Sequence, residues 1–384
     1  MVIFKLKKKR DIGGKMKQTV CILITILVSL LGAEEVPMTE NPAAPAAKNA
    51  GRTVVLKEVL RITDEQGGFY FNSPRRIKIA PDESVFVVDK DQFLRFDKTG
   101  RFLNNQFKKG EGPGEYSFID SYQFSDDSII LVSSQPQKIL KTDLTGKLLE
   151  EHKFPSTQGA WRMLGFDSGK YWYLSSDTSA LFKKNNGISD FTRELTWTTP
   201  GGEAHKTGIV FTEKWSINKR TSGKSVSIAI NFLYPPQYVM DEGRSLFVST
   251  TRAYTIQRVN LEEKKITAKF RRKYSSIPFQ PEKPGEGEDR PSRPETKFFA
   301  DVQRIIPYNS RLWVLTSTVV EGKGVLVDVF TKGGKYIDNF YLPLPRVETV
   351  HHLRQKPLTL YKNFLFTVES GEDENPEVVK YRID

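Results

Sequence analysis

Along residues 76–107 the apolar positions alternate in short runs and do not recur at helical spacing. Four runs are separable there, divided by Asp82-Glu83-Ser84, by a polar break near 90–91 and by Asp97-Lys98-Thr99-Gly100. Residues 122–154 repeat the design, with Asp126-Asp127-Ser128 and Asp143-Leu144-Thr145-Gly146 at the equivalent breaks. A period of two predicts strands. In Asp-x-Thr-Gly the Asp side chain caps a tight turn and the Gly adopts positive φ. Each unit is therefore expected to be a four-stranded antiparallel meander, which is the make-up of one β-propeller blade.

Looser copies follow. The third unit is read from 162–165, 171–175, 180–184 and 191–197, and the fourth from 238–240, 246–249, 254–260 and 265–270. The fifth uses 302–306, 312–316, 324–330 and 336–341, with a turn at Thr331-Lys332-Gly333-Gly334. The sixth has three runs only, 358–360, 364–368 and 378–383, while 54–62 is a spare strand ahead of the first unit. Pairing the spare strand with the incomplete unit closes a ring without an open sheet edge. The expected fold is all-β, a six-bladed β-propeller of four-stranded blades closed by its N-terminal strand. Two insertions are expected. One, at about 205–231, reads as a hairpin of 208–217 with 225–231, or alternatively as a seventh blade. The other, at about 275–296, is rich in Pro, Glu and Gly and reads as a solvated loop.

The N-terminus changes the picture of location. A basic start, an apolar run over 20–31 and a small-residue exit at Gly32-Ala33 read as a cleavable signal peptide over 1–33. The run is short for a membrane span, which takes about 20 apolar residues. A start at Met16 gives a more compact leader, because tandem glycine codons at Gly13-Gly14 would place a purine run just upstream. Residues 34–51, rich in Ala and Pro, read as a flexible linker, and 52–384 as a single domain. The expected product is extracytoplasmic, periplasmic or secreted, monomeric and without a membrane span. The one cysteine, Cys21, lies in the leader, so the mature part has no disulfide or thiolate chemistry.

The formal charge of +12 points less to nucleic acid than its size suggests. Seven bases and one acid fall within residues 1–33, leaving 51 bases against 45 acids over the rest. No later basic run exceeds Arg271-Arg272-Lys273, so the dense patch that phosphate binding needs is missing.

At Lys109-Gly110-Glu111-Gly112-Pro113-Gly114-Glu115-Tyr116, between the first two units, the chain resembles a bacterial group of exported six-bladed propellers related to the NHL repeat. That group carries a Gly-x-Gly-Pro-Gly-Glu-aromatic segment between blades. The resemblance implies fold, since much of the group has no assigned activity.

These glycines lack the following helix and the Gly-Lys-Ser/Thr of a phosphate loop, so an inter-blade turn is expected. The four histidines lack metal-ligand spacing, and no Gly-x-Ser-x-Gly elbow occurs. No catalytic set, metal site or cofactor is predicted. In a propeller the loops entering each inner strand share one face with the turns between second and third strands. On that face the candidate ligand-binding residues are Arg76, Lys109, Glu115, Tyr116, Asp120, Trp161, Arg162, Arg252, Tyr254, Asp301 and His351. Arginines beside aromatic rings suit a glycan, a small anionic ligand or a protein partner, which makes a binding or scaffold protein the expected function. The alternative is a metal-dependent propeller enzyme, a gluconolactonase-like hydrolase or lyase. It would need several channel carboxylates, whereas only Asp120 and Asp301 fall near inner strands.

Overall fold

The computed structural model describes residues 36–153, 162–177, 186–222, 225–241, 244–279 and 296–384. The expected signal peptide, Trp161, the run at 180–184 and most of the 275–296 insertion lie outside the described residues.

Three short strands come first: β1 (Met38–Asn41), β2 (Arg52–Thr53) and β3 (Leu56–Ile62). Blade one is β4 (Pro74–Ile79), β5 (Val85–Asp89), β6 (Gln92–Phe96) and β7 (Phe102–Asn105). Blade two is β8 (Ser121–Ser125), β9 (Ser128–Ser134), β10 (Gln137–Asp143) and β11 (Leu148–Lys153). Blade three is β12 (Arg162–Asp167), β13 (Lys170–Ser175), β14 (Gly187–Thr198), β15 (His205–Ser222) and β16 (Ser225–Phe232). Blade four is β17 (Gln237–Asp241), β18 (Ser245–Ser249), β19 (Ile256–Asn260) and β20 (Lys265–Arg272). Blade five is β21 (Val302–Tyr308), β22 (Arg311–Val320), β23 (Gly324–Thr331) and β24 (Tyr336–Leu342). A short helix, α1 (Val350–Gln355), precedes blade six: β25 (Leu358–Tyr361), β26 (Phe364–Ser370) and β27 (Pro376–Ile383).

Within each blade the strands are hydrogen-bonded in chain order, giving six sheets among the described residues. The first strands of successive blades lie side by side, and blades one and two join where Lys78 Nζ donates to Tyr122 O and Tyr122 Oη to Arg76 O. The chain is a six-bladed propeller. The turn chemistry behaves as its residue types demand. Asp97 Oδ1 accepts from the backbone N–H groups of Thr99 and Arg101, Asp143 Oδ1 from those of Thr145 and Lys147, and Gly100 and Gly146 both sit at φ 87°.

The ring closes as the two incomplete pieces require. β3 pairs antiparallel with β27, Ile62 opposite Val378 and Leu56 opposite Ile383. Two expectations need correction. Residues 34–51, read as a flexible linker, contribute β1 at 38–41, and β2 follows at 52–53; both run parallel along the outer edges of β20 and β24. The Asn41 amide explains the order: it donates to Arg271 O and Gly334 O and accepts from Tyr336 N–H, fastening β1 to two blades at once. In blade three, residues 191–197 belong to the third strand, not the fourth. The first limb of the expected insertion is β15 itself, and only β16 is additional. No seventh sheet forms among the described residues. Long β14 and β15 extend past the blade as a ribbon with its own small core of Phe191, Ile217, Trp215 and Ile230.

Candidate functional site

The inner strands enter the channel at one mouth, beside the loops from preceding blades, and leave it at the other, where they turn into the second strands. Their register is irregular in three blades. Bulges fall between Arg75 and Lys78 in β4, Met163 and Gly165 in β12, and Val302 and Arg304 in β21. A bulge kinks its strand and re-aims the nearby side chains, and each of these three lies beside a channel arginine: Arg76, Arg162 or Arg304. Arg76 itself takes φ 48°.

At the loop mouth Arg76 stands near Asp120 and Arg162. Arg76 Nη1 donates to Ile119 O at 3.0 Å, and Arg162 lies over the Tyr238 ring at 5.5 Å. The enclosing channel wall lowers the pKa of both guanidinium groups, although both stay open to solvent. For Arg76 the neighbouring Arg75 adds to the fall and Asp120 opposes it, whereas Tyr238 and Glu213 oppose it for Arg162. Neither arginine has a carboxylate within ion-pair distance among the described residues. Asp120 Oδ2 is buried and has no hydrogen-bond partner.

Most of the other predicted residues spend their polar atoms inside the fold. Glu115 curls back so that its carboxylate accepts from Gly112 N–H at 3.0 Å, and a Cβ on Gly110 would lie 2.0 Å from Glu115 Oε2. Lys138 Nζ and Glu151 complete this clasp through Gly112 O and Gly114 N–H. Tyr116 is buried against Phe107, its hydroxyl on Gln106 O. The segment locks blade one to blade two. Tyr254 is likewise buried and its hydroxyl donates to Asp328. Asp301 accepts from Tyr254 N–H, and Arg252 sits 3.9 Å from its other oxygen while bonding Ser276. His351, on α1, packs edge-on against Phe279 and Phe299. Lys109 is exposed on the loop. Among the described residues no group of three or more His, Asp or Glu side chains is placed to hold a metal ion.

The opposite mouth opens into a cavity of about 730 Å³ to which all six inner strands contribute. Lys78 and Arg304 line it, and neither was singled out from the sequence. Lys78 lies in the alternating Arg76-Ile77-Lys78-Ile79, Arg304 in Gln303-Arg304-Ile305, and a polar residue between apolar ones on a strand otherwise reads as a solvated face.

The architecture defines a six-bladed β-propeller whose inner strands carry a cationic channel. The chain belongs to the DUF5128 family of six-bladed β-propellers, whose profile it matches over residues 64–273. No curated protein matches the sequence. A Bacteroides fragilis protein described as exported superposes with a TM-score of 0.54 at 13% identity, covering 91% of this chain and 100% of its own. A member of the DUF4221 family from Bacteroides vulgatus gives 0.53 at 11% identity, covering 87% and 98%. A gluconolactonase from Xanthomonas campestris matches at 0.43 and 12% identity over 90% and 98%, too loosely to bear on activity.

Proposed function

We propose that this chain is an exported binding protein whose channel takes an anionic group at the loop mouth, either a small acid or a sugar acid. One observation carries the reading: Arg76 and Arg162 stand solvent-exposed on the inner strands of two blades, and among the described residues neither has a carboxylate within ion-pair distance. A guanidinium fork with donors to spare at a channel mouth suits an incoming carboxylate. The leader pattern of residues 16–33 supports export, and among the described residues no helix is long and apolar enough to cross a membrane.

The test is a thermal-shift series with glucuronate, succinate, phosphate and sulfate beside neutral glucose. A ligand at about 100 times its Kd stabilises by about 2.7 kcal/mol, a readily measured rise in Tm. At least one anion should raise Tm in the wild type and do so less in the Arg76→Gln/Arg162→Gln chain. Glucose acting as well as the anions, or an unchanged response in the double variant, would sink the proposal.

A further inference from the structure

The mouth opposite the loops has a different chemistry. Much of the cavity wall there is aliphatic or aromatic, with Phe124, Leu164, Val239, Met240, Ile306 and Leu360 half-buried on five of the inner strands. Into this wall two cations project. Lys78 has three N–H donors and gives one to Tyr122 O; Arg304 has five and gives one to Lys356 O at 3.0 Å. Neither has a carboxylate within ion-pair distance among the described residues. Charge held in an apolar wall with donors to spare is costly and is relieved by an anion that fills them.

The rim narrows the choice of anion. Asp126, Asp167 and Asp241 surround the exit. Asp241 lies 2.6 Å from Lys332, while Asp126 is exposed and Asp167 half-exposed. A ligand with a second negative charge at its outer end would meet these carboxylates, whereas an apolar or neutral end would not. The volume falls within the range of about 300–1,000 Å³ that encloses a drug-sized molecule. It is larger than an inorganic ion needs.

We propose that this cavity binds an amphiphilic monocarboxylate, the carboxylate taken by Lys78 and Arg304 and the apolar body lying along the inner-strand side chains. This site is separate from the loop mouth and stands whatever that mouth takes. Burial pulls the Lys78 ammonium down to about 8, with Arg76 next in the channel adding to the fall, and brings Arg304 down to about 10. Lys78 is thus charged at neutral pH and loses its charge in mild alkali; the other charged groups about it are Arg76, Arg304 and the rim aspartates Asp126, Asp167 and Asp241.

The experiment is calorimetric titration of the full chain with octanoate, beside octanol, octylammonium, acetate and suberate. Octanoate should bind at least about tenfold more tightly than each of the others. Octanol and octylammonium lose the charge-assisted hydrogen bonds, acetate the apolar body, and suberate sets a second carboxylate against the rim aspartates. The Lys78→Met/Arg304→Met chain should lose at least about tenfold in octanoate affinity on the same grounds. Binding should also weaken from pH 7 to pH 9, where octanoate itself does not titrate. Octanol binding as tightly as octanoate would reduce the site to an apolar void. Acetate or suberate doing so would reduce it to a simple anion site, and an unchanged double variant would remove the cations from it. Each of these outcomes overturns the proposal. If the double variant fails to fold, the ligand series and the pH dependence on the wild type decide alone.

Discussion

Replacing Asp328 by Ala should lower the melting temperature of the ring by several degrees. Asp328 is fully buried on β23 and faces Arg272 at the end of β20, so the pair bridges blades four and five. Arg272 Nε and Nη2 donate to its two oxygens at 2.7 and 3.1 Å, and the Tyr254 and Tyr336 hydroxyls donate at 2.8 Å each. The guanidinium is also enclosed by the rings of Tyr254, Tyr274 and Tyr336, at 5.3, 4.8 and 5.3 Å. Truncation strands a buried cation, worth about 3–5 kcal/mol, and leaves two phenol hydroxyls without their acceptor, about 1 kcal/mol each. An unfolding entropy of about 2.1 cal/mol/K per residue over this domain converts a 5 kcal/mol loss into a fall of about 7 °C. Scanning calorimetry reads it directly. The companion variant Arg272→Met/Asp328→Leu should recover most of the loss, because apolar replacement of a whole buried pair is close to neutral. A fall under about 2 °C for Asp328→Ala, by the same conversion, or a double variant less stable than the single, would refute the reasoning.

Gly324 takes φ 97° with its prospective Cβ only 2.2 Å from Leu342 O, whereas Gly51, at φ 78°, has nothing within 4 Å. Gly51→Ala should cost only the left-handed strain of about 1–2 kcal/mol, and Gly324→Ala clearly more in urea unfolding; equal costs would deny the clash. A chain beginning at residue 64 lacks β3 and leaves β27 as an open edge, so it should associate or aggregate in size-exclusion chromatography, and a stable monomeric ring would count against the seam. The Lys78 pKa falls from 10.5 unfolded to about 8 folded. Between those values the unfolded chain binds the extra proton, so stability rises with pH across that window. The stability gap between wild type and Lys78→Met should shift in the wild type's favour there, and a gap constant with pH would contradict the burial. Asp301→Ala should destabilise by about 1–3 kcal/mol through the orphaned Tyr254 N–H, while Ca²⁺ or EDTA leaves the wild-type Tm unchanged; a chelator-dependent Tm would return Asp301 to a metal role.

The blades were legible because their signals are local. Asp97 and Asp143 cap their turns through neighbours two and four residues on, and such chemistry survives without knowledge of the fold. The spare strand was legible from a missing one. Blade three was misread because β14 and β15 run 12 and 18 residues, so strand order could not be inferred from the usual spacing. The site was harder. Arg76 and Arg162 were placed on inner strands, yet Tyr116, Tyr254, Glu115 and Asp301 looked equally available. Whether a polar side chain faces a ligand or a partner within its own or the next blade depends on contacts 8 to 74 residues apart in sequence, such as Tyr336 or Tyr254 to Asp328. Lys78 and Arg304 were missed because bulges decide which inner-strand residues reach the channel, and no sequence signal marks those bulges.

The seam also has a consequence in time. Residues 56–62 are among the first of the domain to be made, and their partners at 376–383 are the last. The early segment must wait, unpaired, until the final strand arrives, so the circle cannot be completed on a half-synthesised or half-translocated polypeptide. If the chain is exported as proposed, this delay keeps it threadable until the strands of blade six are through.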